Sequence, residues 1–174
     1  MTLANQLFVV VVGIFDEKHE RIALIKRNNK PYQHFWSLVG GKIKNGETVI
    51  SAAKREVFEE TGTHLTNLRF HGILEEILYS ENNTKLDLFH IFIVSGETKD
   101  RTFKSSEEGV VKWVPLDTLD DIKIIPSDKL MITKMILNSS NTLQFAKAVL
   151  QDTESGVKLL EFKIITEFKN KKLH

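Results

Sequence analysis

The 174-residue chain contains no cysteine, which rules out a disulfide framework and a thiolate zinc site and fits a reducing compartment, so the cytoplasm is the expected location. Proline occurs three times only, and no proline-rich linker, internal repeat or low-complexity tract divides the chain. Charge of one sign is also missing. Twenty-four Lys and Arg against 23 Asp and Glu leave a net +1, which disfavours long nucleic acid and an anionic membrane as partners while allowing a local basic patch for a small anion. Nor is there a long hydrophobic run. Leu7 to Val12 ends at Gly13, is far too short to cross a bilayer, and lacks the basic leader and small-residue cleavage site of a signal peptide.

What remains is an ordinary globular composition, 41% hydrophobic and 27% charged, on a chain long enough to bury a core. The one break in pattern is the polar NSSN at 138–141, which divides the chain into a domain over 1–138 and a C-terminal extension over 139–174. The spacing predicts inner strands in NQLFVVVVGIF and RIALIKR around the turn DEKHE, and a short strand in SLVGGKI. Strands are also predicted in LRFHGILEEILYS and KLDLFHIFIVSG around ENNT, and in GVVKWVPL. SDKLMITKMILNSS reads as an amphipathic helix with Ser127 as its cap, and the alternation on either side of DTESG predicts a hairpin. The architecture is α+β, with strands in the majority. The apolar alternation of the tail offers either an edge hairpin or a homodimer contact.

The densest chemistry lies in GGKIKNGETVISAAKREVFEETGT, residues 40–63. A helix is predicted from Thr48, a capping residue, to about Thr61, with Gly62 where a left-handed cap ends it. On that helix Glu56, Glu59 and Glu60 fall at i, i+3 and i+4 and share one face, while Ile50, Ala53 and Val57 form the stripe expected to meet a core. Ala52 falls on the acidic face, where its small side chain leaves room for a ligand. Arg55, four residues before Glu59, is placed to orient that carboxylate. Like charges stacked this way repel, and a divalent cation removes the conflict. Oxygen donors without Cys or a His pair at metal spacing suit a hard ion, Mg²⁺ or Mn²⁺. The histidines share no spacing: His34 lies in the loop before this stretch, and His19, His64, His71, His90 and His174 read as structural.

Gly41, Glu47, Arg55, Glu56, Val57, Glu59, Glu60 and Gly62 resemble the box of the Nudix hydrolases, G-x5-E-x7-R-E-U-x-E-E-x-G-U, with U aliphatic. Seven single-type positions at roughly 1 in 15 each match by chance about once in 10⁸ starts, so a merely solvated helix face is a poor account of them. Two positions depart: Thr63 stands at the final U, and Val39 where the family often has proline. The resemblance is most specific over 36–63 and looser over 6–137. It implies a mixed-sheet α/β/α sandwich, to which the tail from 139, outside the resemblance, adds the expected C-terminal hairpin, and hydrolysis of a nucleoside diphosphate linked to another group. It further implies metal held by Gly41, Glu56, Glu59, Glu60 and Glu108, support from Glu47, orientation by Arg55, and Glu56 as a base. Glu107 and Glu108 precede a late strand, and Glu108 is the better match for the family's further acid. Arg27 and Lys42 resemble phosphate-contacting cations.

Within the family the chain looks most like the branch that hydrolyses oxidised nucleotides such as 8-oxo-dGTP to the monophosphate and pyrophosphate. There Asp128, following Pro126, is expected to read the purine edge, to cap a helix or to do both, and Phe35 and Trp36 either stack on the base or fill the core. Alternatives are a dinucleoside polyphosphate hydrolase, for which Tyr79 speaks, an ADP-ribose pyrophosphatase, and a non-catalytic nucleotide sensor. The expected partner is a small nucleotide.

Overall fold

A computed structural model describes residues 2–30, 32–82, 85–138, 142–154 and 156–169. The strands, in chain order, are β1 (Thr2–Phe15), β2 (Arg21–Arg27), β3 (Trp36–Ser37), β4 (Val39–Lys42), β5 (Thr66–Tyr79), β6 (Lys85–Glu97), β7 (Gly109–Pro115), β8 (Thr142–Thr153) and β9 (Gly156–Lys169). Helix α1 covers Val49–Thr61 and the short α2 covers Pro126–Leu130. All nine strands of the described residues join one mixed sheet in the order β3-β2-β1-β6-β5-β8-β9, with β4 pairing β1 and β7 pairing β2. β1 runs parallel to β6, and β5 parallel to β8.

The continuous apolar run of β1 follows from burial on both faces. Val10, Val12 and Ile14 point into one core with Val39 and with Ala53 and Val57 of α1, whereas Val9 and Val11 pack on the opposite core around Leu74, Ile93, Met131 and Met135. The two cores, with α1 on one face and the α2 region on the other, make the expected sandwich. Gly40 holds β4 against β1: its φ is 156°, and a Cβ there would lie 2.1 Å from the Val10 carbonyl oxygen.

Helix α1 begins and ends as its sequence predicts. Thr48 and Ser51 cap each other's backbone N–H groups at 2.8 and 3.1 Å, and Gly62, at φ 73°, donates its N–H to the Phe58 carbonyl at 2.9 Å. Two side chains on it differ from expectation. Ile50 is exposed, and Ala52 is completely buried in the core. The sheet covers a stripe turned toward Ala52, Ala53 and Val57, because α1 docks against the β4 backbone rather than along the middle of its apolar pattern. Ala52 therefore leaves no room beside the acids; it fills the helix–sheet contact. Thr63 replaces the aliphatic side chain of the box with a buried hydroxyl that bonds Thr98 Oγ1 at 2.8 Å and Asp100 Oδ2, a polar contact made possible by Thr98 and Asp100.

The region after Pro126 also differs. Ile125, not Ser127, occupies the cap position of α2, and Pro126 opens the helix, where its missing N–H costs nothing. A wider π-helical turn, Met131–Ile136, continues α2 and buries Met131, Ile132, Met135 and Ile136. The expected hairpin is β8 and β9, paired over Thr142–Thr153 and Gly156–Lys169. It extends the sheet, since β8 pairs with β5 along Gly72–Tyr79 and turns β5 from an edge into an interior strand. Residues 139–141 of the NSSN boundary, residues 83 and 84 of the ENNT turn and His174 lie outside the described residues. Among the described residues no helix is long and apolar enough to cross a membrane.

Candidate active site

An open cleft of about 710 Å³ runs from the exposed side of α1 across β4 and β1 toward α2. At one end stand Glu56, Glu59 and Glu108 with Arg55, and at the other Tyr32, Glu76 and Asp128. The spacing of α1 places the acids, and the β4 turn brings the backbone of Gly40 and Gly41 beside them.

Arg55 organises the acidic end. Its guanidinium grips both oxygens of Glu47, at 2.5 and 2.8 Å, and donates to Glu56 Oε1 at 2.6 Å, Glu59 Oε2 at 3.1 Å and the Lys42 carbonyl at 3.0 Å. The Arg55 hydrogen bonds and the Lys44 N–H hold the Glu47 carboxyl down at about 2, and Glu47 raises Arg55 in turn. Glu47 therefore anchors the arginine, and the arginine orients Glu56 and Glu59. Burial pushes the Glu56 carboxyl up, against the pull of Arg55, with Glu59 and Glu108 adding like charge. Gly41 packs so closely that a Cβ there would lie 2.6 Å from the Glu56 carboxyl atoms.

Glu60 is the most constrained acid. It is 3% exposed, and neither carboxylate oxygen has a hydrogen bond of good geometry. Burial, then Glu108 and Glu56, push it up to about 9, with Arg27 and the Gly40 N–H pulling weakly the other way. A buried acid left without a partner, among others of like charge, suits a hard divalent cation. The donors nevertheless stop short of a closed coordination shell: no three carboxylates among the described residues stand together at metal-binding geometry, and Arg55 takes both oxygens of Glu47 and one each from Glu56 and Glu59.

Glu60 makes stability pH-dependent in a defined direction. Folded, it keeps its proton up to about 9; unfolded, it releases it near the ordinary 4.5, so its contribution is complete below 4.5 and is lost as pH rises toward 9. Between pH 6.5 and 8.5 the metal-free protein is expected to lose about 2 kcal/mol, with Asp128, pushed up to about 7 by burial, adding at the lower end. His71, held near 4 by burial, is neutral when folded but half-protonated when unfolded at pH 6.5, so it offsets the loss by about 0.4 kcal/mol at the lower end. Thermal melts in chelator check this, and Glu60→Gln should flatten the slope; an equally steep slope in that variant refutes the assignment.

The remaining site candidates separate into those in the cleft and those outside it. Arg27, at the end of β2, and Lys42, at the end of β4, line the cleft, as does Glu108 just before β7. Glu107 instead turns its backbone carbonyl to the Asn28 side chain. Asp128 is buried in the first turn of α2, where Oδ2 accepts the Leu38 N–H at 2.7 Å, so it is not a helix cap. Phe35 is outside the cleft: it is 7% exposed in the core, with the Lys123 ammonium 4.3 Å from its ring centroid and Gly156 against its edge. Trp36 is half-buried in β3 against the same core. Tyr32 and Glu76 were not anticipated. The signal for Glu76 was present, because in LEEIL it shares strand parity with Leu74 and Leu78 and puts a charge on the buried face of β5.

A mixed-sheet sandwich carrying a clamped carboxylate helix beside a two-ended cleft defines a Nudix-type fold. The chain belongs to the Nudix family: the model of the NUDIX domain matches residues 5–135. It is 30% identical over 110 residues to an 8-oxo-dGTP diphosphatase of Buchnera aphidicola, covering 63% of this chain and 78% of that one. It is 50% identical over 54 residues to an ADP-ribose pyrophosphatase of Methanocaldococcus jannaschii, where the match spans only 31% of either chain. The crystal structure of a mutator MutT protein from Bacillus halodurans superposes with a TM-score of 0.72 at 24% identity, covering 91% of this chain and 97% of that one.

Proposed function

We propose that the protein is a Mg²⁺-dependent (or Mn²⁺-dependent) hydrolase that cleaves a nucleoside triphosphate, foremost an oxidised purine nucleotide such as 8-oxo-dGTP, to the monophosphate and pyrophosphate. The observation that carries this reading is the single cleft with a carboxylate end and a buried polar end, which matches the two unlike ends of a nucleotide. Similarity to an 8-oxo-dGTP diphosphatase over most of that protein's length supports the substrate class.

In this reading Glu56, Glu59, Glu60 and Glu108 hold the cation, with the Gly41 backbone beside them. The bound ion supplies charge neutralisation at phosphate and a lowered pKa for water. Arg55 orients the carboxylates, while Arg27 and Lys42 meet the phosphate oxygens. Glu56 Oε1 is committed to Arg55, which leaves Oε2 to accept the proton of the attacking water, and a carboxyl raised by burial suits that task. Water oxygen bonds to phosphorus, the phosphoanhydride bond breaks, and pyrophosphate leaves with the electron pair. Asp128 faces the base.

A panel of 8-oxo-dGTP, dGTP, diadenosine tetraphosphate and ADP-ribose tests this, with pyrophosphate and phosphate measured separately for the triphosphates and the nucleotide products separated by chromatography for all four. The expected result is metal-dependent pyrophosphate release with the highest kcat/KM on 8-oxo-dGTP. Faster cleavage of ADP-ribose would transfer the protein to the branch of its M. jannaschii relative, and nucleotide binding without turnover on any member would make it a sensor.

A further inference from the structure

Glu76 has no place in the phosphate chemistry. It lies in β5, which β8 and β9 have converted into an interior strand, with Glu76 opposite Ala148 of β8. The hairpin lies beyond residue 135, where the NUDIX match ends, so the carboxyl is enclosed by a part of the chain outside the matched domain. It is 4% exposed, accepts the Tyr32 hydroxyl at 3.1 Å on Oε1, and leaves Oε2 without a hydrogen bond of good geometry, the buried Ser127 hydroxyl beside it. Tyr32 is held there at the cost of a left-handed backbone: its φ is 70°, and that of His34 in the same loop is 69°. Asp128, from α2, lines the same cleft, and behind its own burial and the opposing Leu38 N–H the charge of Glu76 helps to raise its carboxyl. Both line the cleft at the end away from the metal-binding acids.

Resting on the nucleotide reading above, we propose that Glu76, enclosed by the C-terminal hairpin, is a second base-reading acid that acts with Asp128 to select a guanine-type edge, a carbonyl flanked by N–H donors. Two neighbouring buried carboxyls cannot both ionise, so the pair carries one proton and offers one donor beside several acceptors. A guanine-type edge presents one acceptor and two N–H donor groups and satisfies both acids. An adenine edge presents one donor group and one acceptor and leaves acceptor capacity on the pair unused, a costly outcome in a buried site.

The test measures equilibrium binding of dGMP and dAMP in chelator, so it does not depend on turnover. The parent protein is expected to favour dGMP by about tenfold or more. Glu76→Leu, similar in bulk and apolar, should remove most of that preference without lowering the melting temperature, because a buried acid gives way to a residue suited to its surroundings. Glu76→Gln, which still offers a donor and an acceptor, should restore it in large part. Tyr32→Phe cuts the bond to Glu76 but keeps the carboxyl and should retain the preference within about threefold. An unchanged preference in Glu76→Leu overturns the proposal, and so does a loss in Tyr32→Phe as large as in Glu76→Leu, which would make Glu76 a support for the tyrosine. If the preference shifts as expected but no triphosphate is hydrolysed, the hydrolase reading fails and the base reader stands; hydrolysis with an unaltered preference gives the reverse.

Discussion

Glu56→Gln should lower kcat by about 10³-fold while leaving the melting temperature of the metal-free protein unchanged or slightly raised. The amide keeps the volume and the Oε1 contact to Arg55, so packing at this 8%-exposed position survives. What disappears is charge, and with it the metal ligand and the proton-accepting Oε2 of the proposed mechanism. Because Glu59, Glu60 and Glu108 remain, metal affinity should weaken without vanishing, which separates the variant from one that has lost the site altogether. Steady-state kinetics across a Mg²⁺ titration check both statements. A kcat within threefold of the parent would remove Glu56 from the chemistry.

The second large effect is expected from a single methyl group. A Cβ on Gly41 would lie 2.6 Å from each of the three Glu56 carboxyl atoms, well inside contact distance. The backbone of Gly41 lies outside the left-handed region, so Gly41→Ala strains no dihedral, and the conflict is relieved by moving the end of a flexible side chain. Stability should barely change. Catalysis should, because in the proposed mechanism displacing the Glu56 carboxylate by about 1 Å costs about 10²-fold in rate. Gly46→Ala is the matched control. Nothing lies within 4 Å of its added Cβ, but its φ is 86°, so it should cost about 1 kcal/mol of stability and leave kcat alone. Equal kinetic effects of the two substitutions would refute the close packing of Gly41 on Glu56.

These two predictions draw on the part of the molecule most legible in its residues. The caps at Thr48 and Gly62 and the shared face of Glu56, Glu59 and Glu60 follow from local rules, helical periodicity and backbone hydrogen bonding, that act within a few residues of one another. Legibility fell wherever docking decided the outcome. Ile50 and Ala52 exchanged roles because a small rotation of α1 against β4 exposes one and buries the other, and no pattern within the helix records that rotation. Phe35 sits in a loop rich in aromatic residues that suggests a stacking platform, yet the Gly156 end of the hairpin and Lys123 draw it into the core. Ser127 looked like a cap only because the preceding Pro126 was not read as the first helical residue.

The sequence by itself determined the family: seven fixed positions place three acids, their arginine and its glutamate anchor within one turn-and-helix unit, where geometry is set by the chain's own pitch. It also determined that β1 is an inner strand, since a run apolar on both faces has no stable place at a surface. Only the tertiary structure decided how those acids differ. Glu59 stays exposed, Glu56 is half-held by Arg55, and Glu60 is sealed away with its charge unmet, because burial depends on what the sheet and the Glu108 loop bring over the helix. Likewise only the fold brought Glu76 and Asp128, from a strand and a helix far apart in the chain, to one cleft, and laid the C-terminal hairpin along β5. Contacts of that kind are set by packing between elements, and the free energy that selects them is spread over the whole core.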